Sequence, residues 1–192
     1  ERFEKRLSEF LKAPYVVLAT NGSIALLMAL MAYDIQPGDE VIIPNITFVA
    51  TAQAPLILGA KVRLIDVEPE KPLLDIDQLD KAINAKTKAI IPVHLNGRGV
   101  DLDRIKKISR KYKIKIIEDA VQALFSKTHN EFLGTRGDIG VFSLGVTKLM
   151  TTIHGGVLVT RNKRVYEKLK QIRNHGMSSN TSFYSRANRL GF

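Results

Sequence analysis

Short runs of β-branched and other apolar residues alternate with helical patterns along nearly the whole chain, and this alternation restricts the fold more than any other feature. The strand-like runs are Tyr15–Ala19, Val41-Ile42-Ile43, Lys61–Val67, Ala89–Val93, Ile114–Asp119, and a pair around Ser143 and Val157–Val159. Between them Phe3–Leu11, Ile24–Tyr33, Thr47–Leu58, Asp77–Ile83, Asp101–Tyr112 and Lys163–Arg173 carry helical patterning. Pro14, Pro37-Gly38-Asp39, Pro44 and Gly59 supply the breaks. Strands that read as continuous apolar runs are covered on both faces, so the pattern predicts an α/β fold. The architecture is three-layer α/β/α with a mostly parallel central sheet. The 192 residues suffice for one sizeable core. Residues 1–177 read as one domain, and the polar, unpatterned stretch 178–192 as a loop or linker.

In open α/β sheets ligands bind at the carboxyl ends of the strands, so the polar residues at those ends are the candidates for chemistry. Ile116-Ile117 runs into Glu118-Asp119, and Val141-Phe142 runs into Ser143, with Lys148 following. Asp119 could cap the next helix and Lys148 could lie on the surface. Yet Gly145, Val146, Leu149 and Met150 make a poor neighbourhood for a solvated charge. An amine held near apolar groups is a nucleophile toward carbonyls. A carboxylate facing a pyridinium nitrogen is the other half of pyridoxal phosphate (PLP) chemistry, and Gln122 is placed to reach the ring's phenolic oxygen.

Thr20-Asn21-Gly22-Ser23 joins a strand to a helix, where free N–H groups and the Ser23 hydroxyl suit a phosphate; the ordinary alternative is a plain helix cap. Phe48 can stack on a flat ring or fill a core. His94, at a strand end, can contact a ligand or serve as a satisfied structural histidine, and His154, before Gly155-Gly156, can cap or line a pocket. The histidines lack metal-ligand spacing, and no G-x-x-x-x-G-K-[ST] or G-x-G-x-x-G is present. No metal site, nucleotide hydrolysis or dinucleotide fold is therefore expected.

The net charge of +10 admits nucleic-acid binding. The lysines and arginines are nevertheless spread over many segments, as solvated helix faces are, and they equally suit a polyanionic small molecule. Cysteine is absent, which removes disulfides and thiolate metal sites and makes the cytoplasm the default setting. No apolar run is long enough to span a bilayer.

The stretches NGSIALLMAL (21–30), PGDEVIIPNITFVATAQA (37–54), PVHLNG (92–97), IIEDAVQA (116–123), GDIGVFSLGVTK (137–148), HGGVLVT (154–160) and RNHGM (173–177) resemble, in order, the DegT/DnrJ/EryC1/StrS aminotransferases. These are PLP-dependent sugar aminotransferases of fold type I. The E-D-x-x-Q-A and F-S-x-x-x-T-K segments carry the resemblance most specifically. It implies that Lys148 binds the cofactor covalently and shuttles the proton. Asp119 pairs with the ring nitrogen and Gln122 holds the phenolic oxygen. Gly22, Ser23, Ser143 and the backbone of Ile24 bind the phosphate, and Phe48 stacks on the ring. The implied reaction moves an amino group, from glutamate as donor, to a nucleotide-linked keto-deoxysugar, in a homodimer with shared active sites.

Three positions depart from the family pattern: His154 stands where an acidic residue is common, Asn96 where an aromatic follows His-Leu, and Leu144-Gly145 where an aromatic or His follows Phe-Ser. They leave the substrate open, with His94 and His154 as its candidate contacts. A dehydratase branch carries His in place of the lysine, and Lys148 speaks against it. The chain opens on Glu1 inside an amphipathic pattern and closes on Gly191-Phe192. An excerpt of a longer protein is expected, lacking a small C-terminal domain; a truncated non-catalytic domain is the alternative.

Overall fold

The computed structural model describes residues 2–177. Its strands are β1 (Tyr15–Ala19), β2 (Glu40–Pro44), β3 (Lys61–Ile65), β4 (Thr87–Ile90), β5 (Lys115–Asp119), β6 (Lys127–Thr128), β7 (Glu131–Phe132), β8 (Ile139–Ser143) and β9 (Gly156–Thr160). Its α-helices are α1 (Arg2–Leu11), α2 (Gly22–Met31), α3 (Ala50–Ile57), α4 (Ile76–Ala82), α5 (Leu102–Tyr112) and α6 (Lys163–Arg173). Seven strands form one sheet in the order β1-β9-β8-β5-β4-β2-β3, while β6 and β7 make a separate hairpin. Pairing is parallel from β3 across to β8, and β9 runs antiparallel to both β8 and β1. The sheet is thus mostly parallel, as the alternation of strands and helices requires.

Strand side chains alternate between two apolar layers. On one face Val17, Val41, Ile43, Ile117, Val141 and Leu158 pack with α2, α3 and α6. On the other, Val16, Phe142, Val157 and Val159 pack with α1 and the hairpin segment, and Ile42, Ile90 and Ile116 pack with α4 and α5. α2 is apolar nearly all round because the sheet, α3 and α6 cover it on several sides. Phe142 is wholly buried, so truncating it to Ala would cost about 3–5 kcal/mol.

Local chemistry moved several boundaries. The helix expected from Thr47 begins at Ala50. Asn45 N–H still bonds the carbonyl of Ile65, and Thr51 and Ala52 N–H reach back three residues, so the entry is a tightened turn. The run 89–93 is ordered as strand only over Thr87–Ile90, with Val93 bridging Asp119. The hairpin was not foreseen. Its turn places His129 and Asn130 at φ 50 and 64, and His-Asn lacks the Asn-Gly or Asp-Gly signature of such turns. The linker expectation for 178–192 falls outside the described residues.

Candidate functional site

Period-two alternation decides which strand-end residues share a face. Ile117 faces α2 and α3, so Asp119 does too, while Glu118 points to the opposite layer. Ile139 and Val141 set the same phase on β8 and bring Ser143 to Asp119's side. Between these strand ends and the starts of α2 and α3 lies a cavity of about 300 Å3. Gly22, Ser23, Phe48, Asp119, Gln122, Ser143, Lys148 and His154 all line it, together with Asn21 and Thr51.

Part of the lining suits an anion. Asn21 caps α2, its side chain accepting from Ile24 N–H at 2.8 Å while its carbonyl accepts from Ala25. The N–H groups of Gly22 and Ser23 precede the first full turn and carry the helix's positive end. The Ser143 hydroxyl, in a residue only 8% exposed, accepts from Gly145 N–H at 3.3 Å and can donate into the cavity. Gly22 lies so close to Ser143 that a Cβ there would stand 3.0 Å from the serine's Cβ. A Cβ on Gly156 would strike the carbonyl of Asn21. The paired glycines therefore let the start of α2 settle against β8 and β9.

The same cavity holds a carboxylate. Asp119 is buried, its Oδ2 accepting from the Thr51 hydroxyl at 2.8 Å and its Oδ1 from Val121 N–H at 3.2 Å. Burial pushes its carboxyl above the usual range, and the Thr51 and Val121 bonds offset this only in part. The pocket thus presents a desolvated carboxylate that a bound cation would relieve. Gln122 accepts from Asn96 N–H at 3.4 Å, which turns its amide N–H2 end away from that backbone. Lys148 lies in the loop after β8, and beyond it a second cavity of about 420 Å3 is lined by Asn96, Gln122, Ser126, Thr147 and Leu149.

Two predicted residues are placed differently. His94 is wholly buried outside the cavity, its Nε2 2.8 Å from Glu118 and its Nδ1 accepting from Val100 N–H at 3.2 Å. Ile24 lies off the lining, with its N–H committed to Asn21. Conversely, Thr51 escaped sequence reasoning. It bonds a carboxylate 68 residues away, and the i,i+4 pair Thr47/Thr51, 2.8 Å between hydroxyls, was its one local signal.

The site's donors and acceptors fit PLP on these observations: a cradle of helix amides and hydroxyls for a phosphate, a buried carboxylate for a ring nitrogen, and a lysine on the same lining. Residues 1–192 match the profile of the DegT/DnrJ/EryC1/StrS aminotransferase family. A GDP-perosamine synthase of Caulobacter vibrioides is 35% identical over 182 residues, which is 95% of this chain and 49% of that protein. A DegT DnrJ EryC1 StrS aminotransferase from Brucella abortus superposes with a TM-score of 0.91 at 35% identity, over 95% of this chain and 51% of that one. A GDP-4-keto-6-deoxymannose-3-dehydratase, solved with a trapped PLP-glutamate geminal diamine, gives 0.88 at 29% identity, over 94% and 48%. The chain spans about half the length of curated relatives such as these synthases. Among the described residues no helix is long and apolar enough to cross a membrane, and no cluster of metal-ligating residues occurs.

Proposed function

This chain belongs to the DegT/DnrJ/EryC1/StrS aminotransferase family, and on that premise we propose that it is the large, cofactor-binding domain of a sugar aminotransferase. Its fold is the type I fold of PLP-dependent transferases and its cofactor is PLP. The proposed acceptor is a nucleotide-linked keto-deoxysugar and the proposed donor glutamate. One observation carries the reading: Asp119 and Lys148, 29 residues apart in sequence, line a single cavity together with the first residues of α2 and the Ser143 hydroxyl.

Bound PLP supplies an electron sink for a carbanion at the substrate's α-carbon. Each side chain has a task around it. Lys148 would hold the cofactor through its amine and, once the donor's amine has displaced it, would take the proton from the donor's α-carbon. Asp119 would face the ring nitrogen and keep it protonated, and Gln122 would donate to the phenolic oxygen. Gly22, Ser23 and Ser143 would hold the phosphate, and Phe48 would stack on the ring. The second cavity beside Lys148, with Asn96, Ser126 and Thr147, is the proposed entry for the hydroxylated acceptor, and His154 lies at the rim. His94 has no substrate role in this reading.

A lysine at 148, where the dehydratase branch carries histidine, favours transamination over dehydration. Apolar residues around the two cavities support a homodimer: Phe48, Val146, Leu149 and Ile153 are each more than half exposed. We keep the cytoplasm as the setting, on the cysteine-free composition.

The test is optical and chemical. The purified protein absorbs in the visible, Lys148→Ala loses that band, and glutamate with a GDP-linked 4-keto-6-deoxysugar yields 2-oxoglutarate together with an amino sugar. A colourless protein that does not take up added PLP refutes the reading; 2-oxoglutarate without an amino sugar refutes the acceptor.

A further inference from the structure

Glu118 lies directly behind the cavity floor and has no place in the chemistry above. It is wholly buried, on the face of β5 opposite Asp119. Its Oε2 accepts from Gly134 N–H at 2.9 Å and lies 2.8 Å from His94 Nε2, while Oε1 accepts from Arg136 N–H at 2.7 Å and from Gly137 N–H. Val100 N–H points at His94 Nδ1, so the ring's proton is on Nε2 and is donated to Glu118. The Arg136 guanidinium is turned away to Asp103 and Glu131. A buried carboxylate is therefore satisfied by dipoles from two separate segments, residues 134–137 and His94.

The same segment grips Asp119. His94 N–H donates to the Asp119 carbonyl and Asp119 N–H to the Pro92 carbonyl, both at 2.9 Å. Backbone bonds at 92–94 thus hold Asp119, and one side-chain bond locks that clasp to the preceding residue. We propose that His94 is a positioning residue, which through its bond to Glu118 fixes the position and orientation of Asp119 toward the ring nitrogen that PLP would bring. The inference rests on the PLP reading. Its reach beyond simple packing comes from the geometry: loosening residue 94 frees the carbonyl partner of the one residue that must meet the nitrogen.

Two variants separate positioning from folding, measured in the PLP-loaded protein. In His94→Asn the shorter amide can still accept from Val100 but does not reach Glu118. In His94→Gln the longer amide can donate to Glu118. Expected for His94→Asn is a rise of about tenfold in the PLP dissociation constant, the scale of a lost charge-assisted hydrogen bond, and a displaced pH midpoint of the visible band. His94→Gln returns both toward wild type. The melting temperature of the PLP-free protein, read in parallel, reports the structural cost of each change. If the two variants share one PLP affinity and one spectral midpoint, whatever their melting temperatures, the inference falls while the cofactor reading stands. A wild type that never binds PLP overturns both.

Discussion

Asp119 occupies a position that disfavours its own charged form. Burial raises its carboxyl above the ordinary value of 3.8, and two hydrogen bonds do not restore it. A group that holds its proton more tightly in the folded than the unfolded chain stabilises the fold at low pH. That contribution is lost as pH rises from about 3.8 through the raised value. In the PLP-free protein Asp119→Asn should therefore melt at the wild-type temperature or above it near neutral pH, and lose less stability on going there from acid. The amide can still meet Thr51 and Val121, so the network survives. Amino transfer should drop by about a hundredfold or more, because the ring nitrogen loses its anion. Glu118 behaves oppositely. Burial raises its carboxyl, but the His94 ring and the N–H groups of Gly137 and Gly134 outweigh that and hold it below its ordinary 4.5. Its stabilisation is present above that value and lost on acidification. Thermal melts across this acid range check both signs.

At the scale of elements, the phosphate end exists because α2 can rest on two strands at once. Glycine at 156 permits the contact, since a Cβ there would collide with the Asn21 carbonyl. Gly156→Ala should push the first turn of α2 off β9 and weaken PLP binding by about tenfold or more, the cost of misplacing hydrogen bonds to a charged group. Equilibrium titration of PLP into the variant measures this, and unchanged affinity would show that the turn does not bind the phosphate. Most elements were legible because their apolar periodicity is local. Where tertiary bonds override the local pattern, the reading slipped. The Asn45–Ile65 bond delays the start of α3, and a His-Asn turn closes the hairpin without the usual glycine. Thr51 was missed because its partner, Asp119, is distant in the chain.

At the scale of the molecule, exposed apolar side chains lie around the two cavities, with Leu149 81% and Val146 66% exposed. Covering one such side chain contributes about 1.5–3 kcal/mol, so a pair of charges there should disrupt an association. If the proposed homodimer forms there, Val146→Glu combined with Leu149→Glu converts it to monomer in light scattering and weakens PLP retention. A wild type that is monomeric at every concentration would sink the shared-site dimer. The basic balance is spread over surface helices such as α5 and α6, whose lysines and arginines pair in part with Asp80, Asp77, Asp34 and Glu167. That distribution suits solvated faces better than one nucleic-acid track.

The layered α/β fold, the polar strand ends and the family are written in neighbouring residues, as periodicity and short motifs. Asp119, Gln122, Ser143 and Lys148 stand in those motifs. Which strand-end side chains share a face follows from the folded backbone. Side-chain phase and strand order put Asp119 and Ser143 in the cavity and Glu118 behind it. They also turned His94 from a candidate substrate contact into the buried partner of a second carboxylate. A histidine at a strand end looks the same in sequence whichever way it points; the direction is fixed by the backbone bonds of residues 92–94 to Asp119 and by a carboxylate waiting on the far side of the sheet.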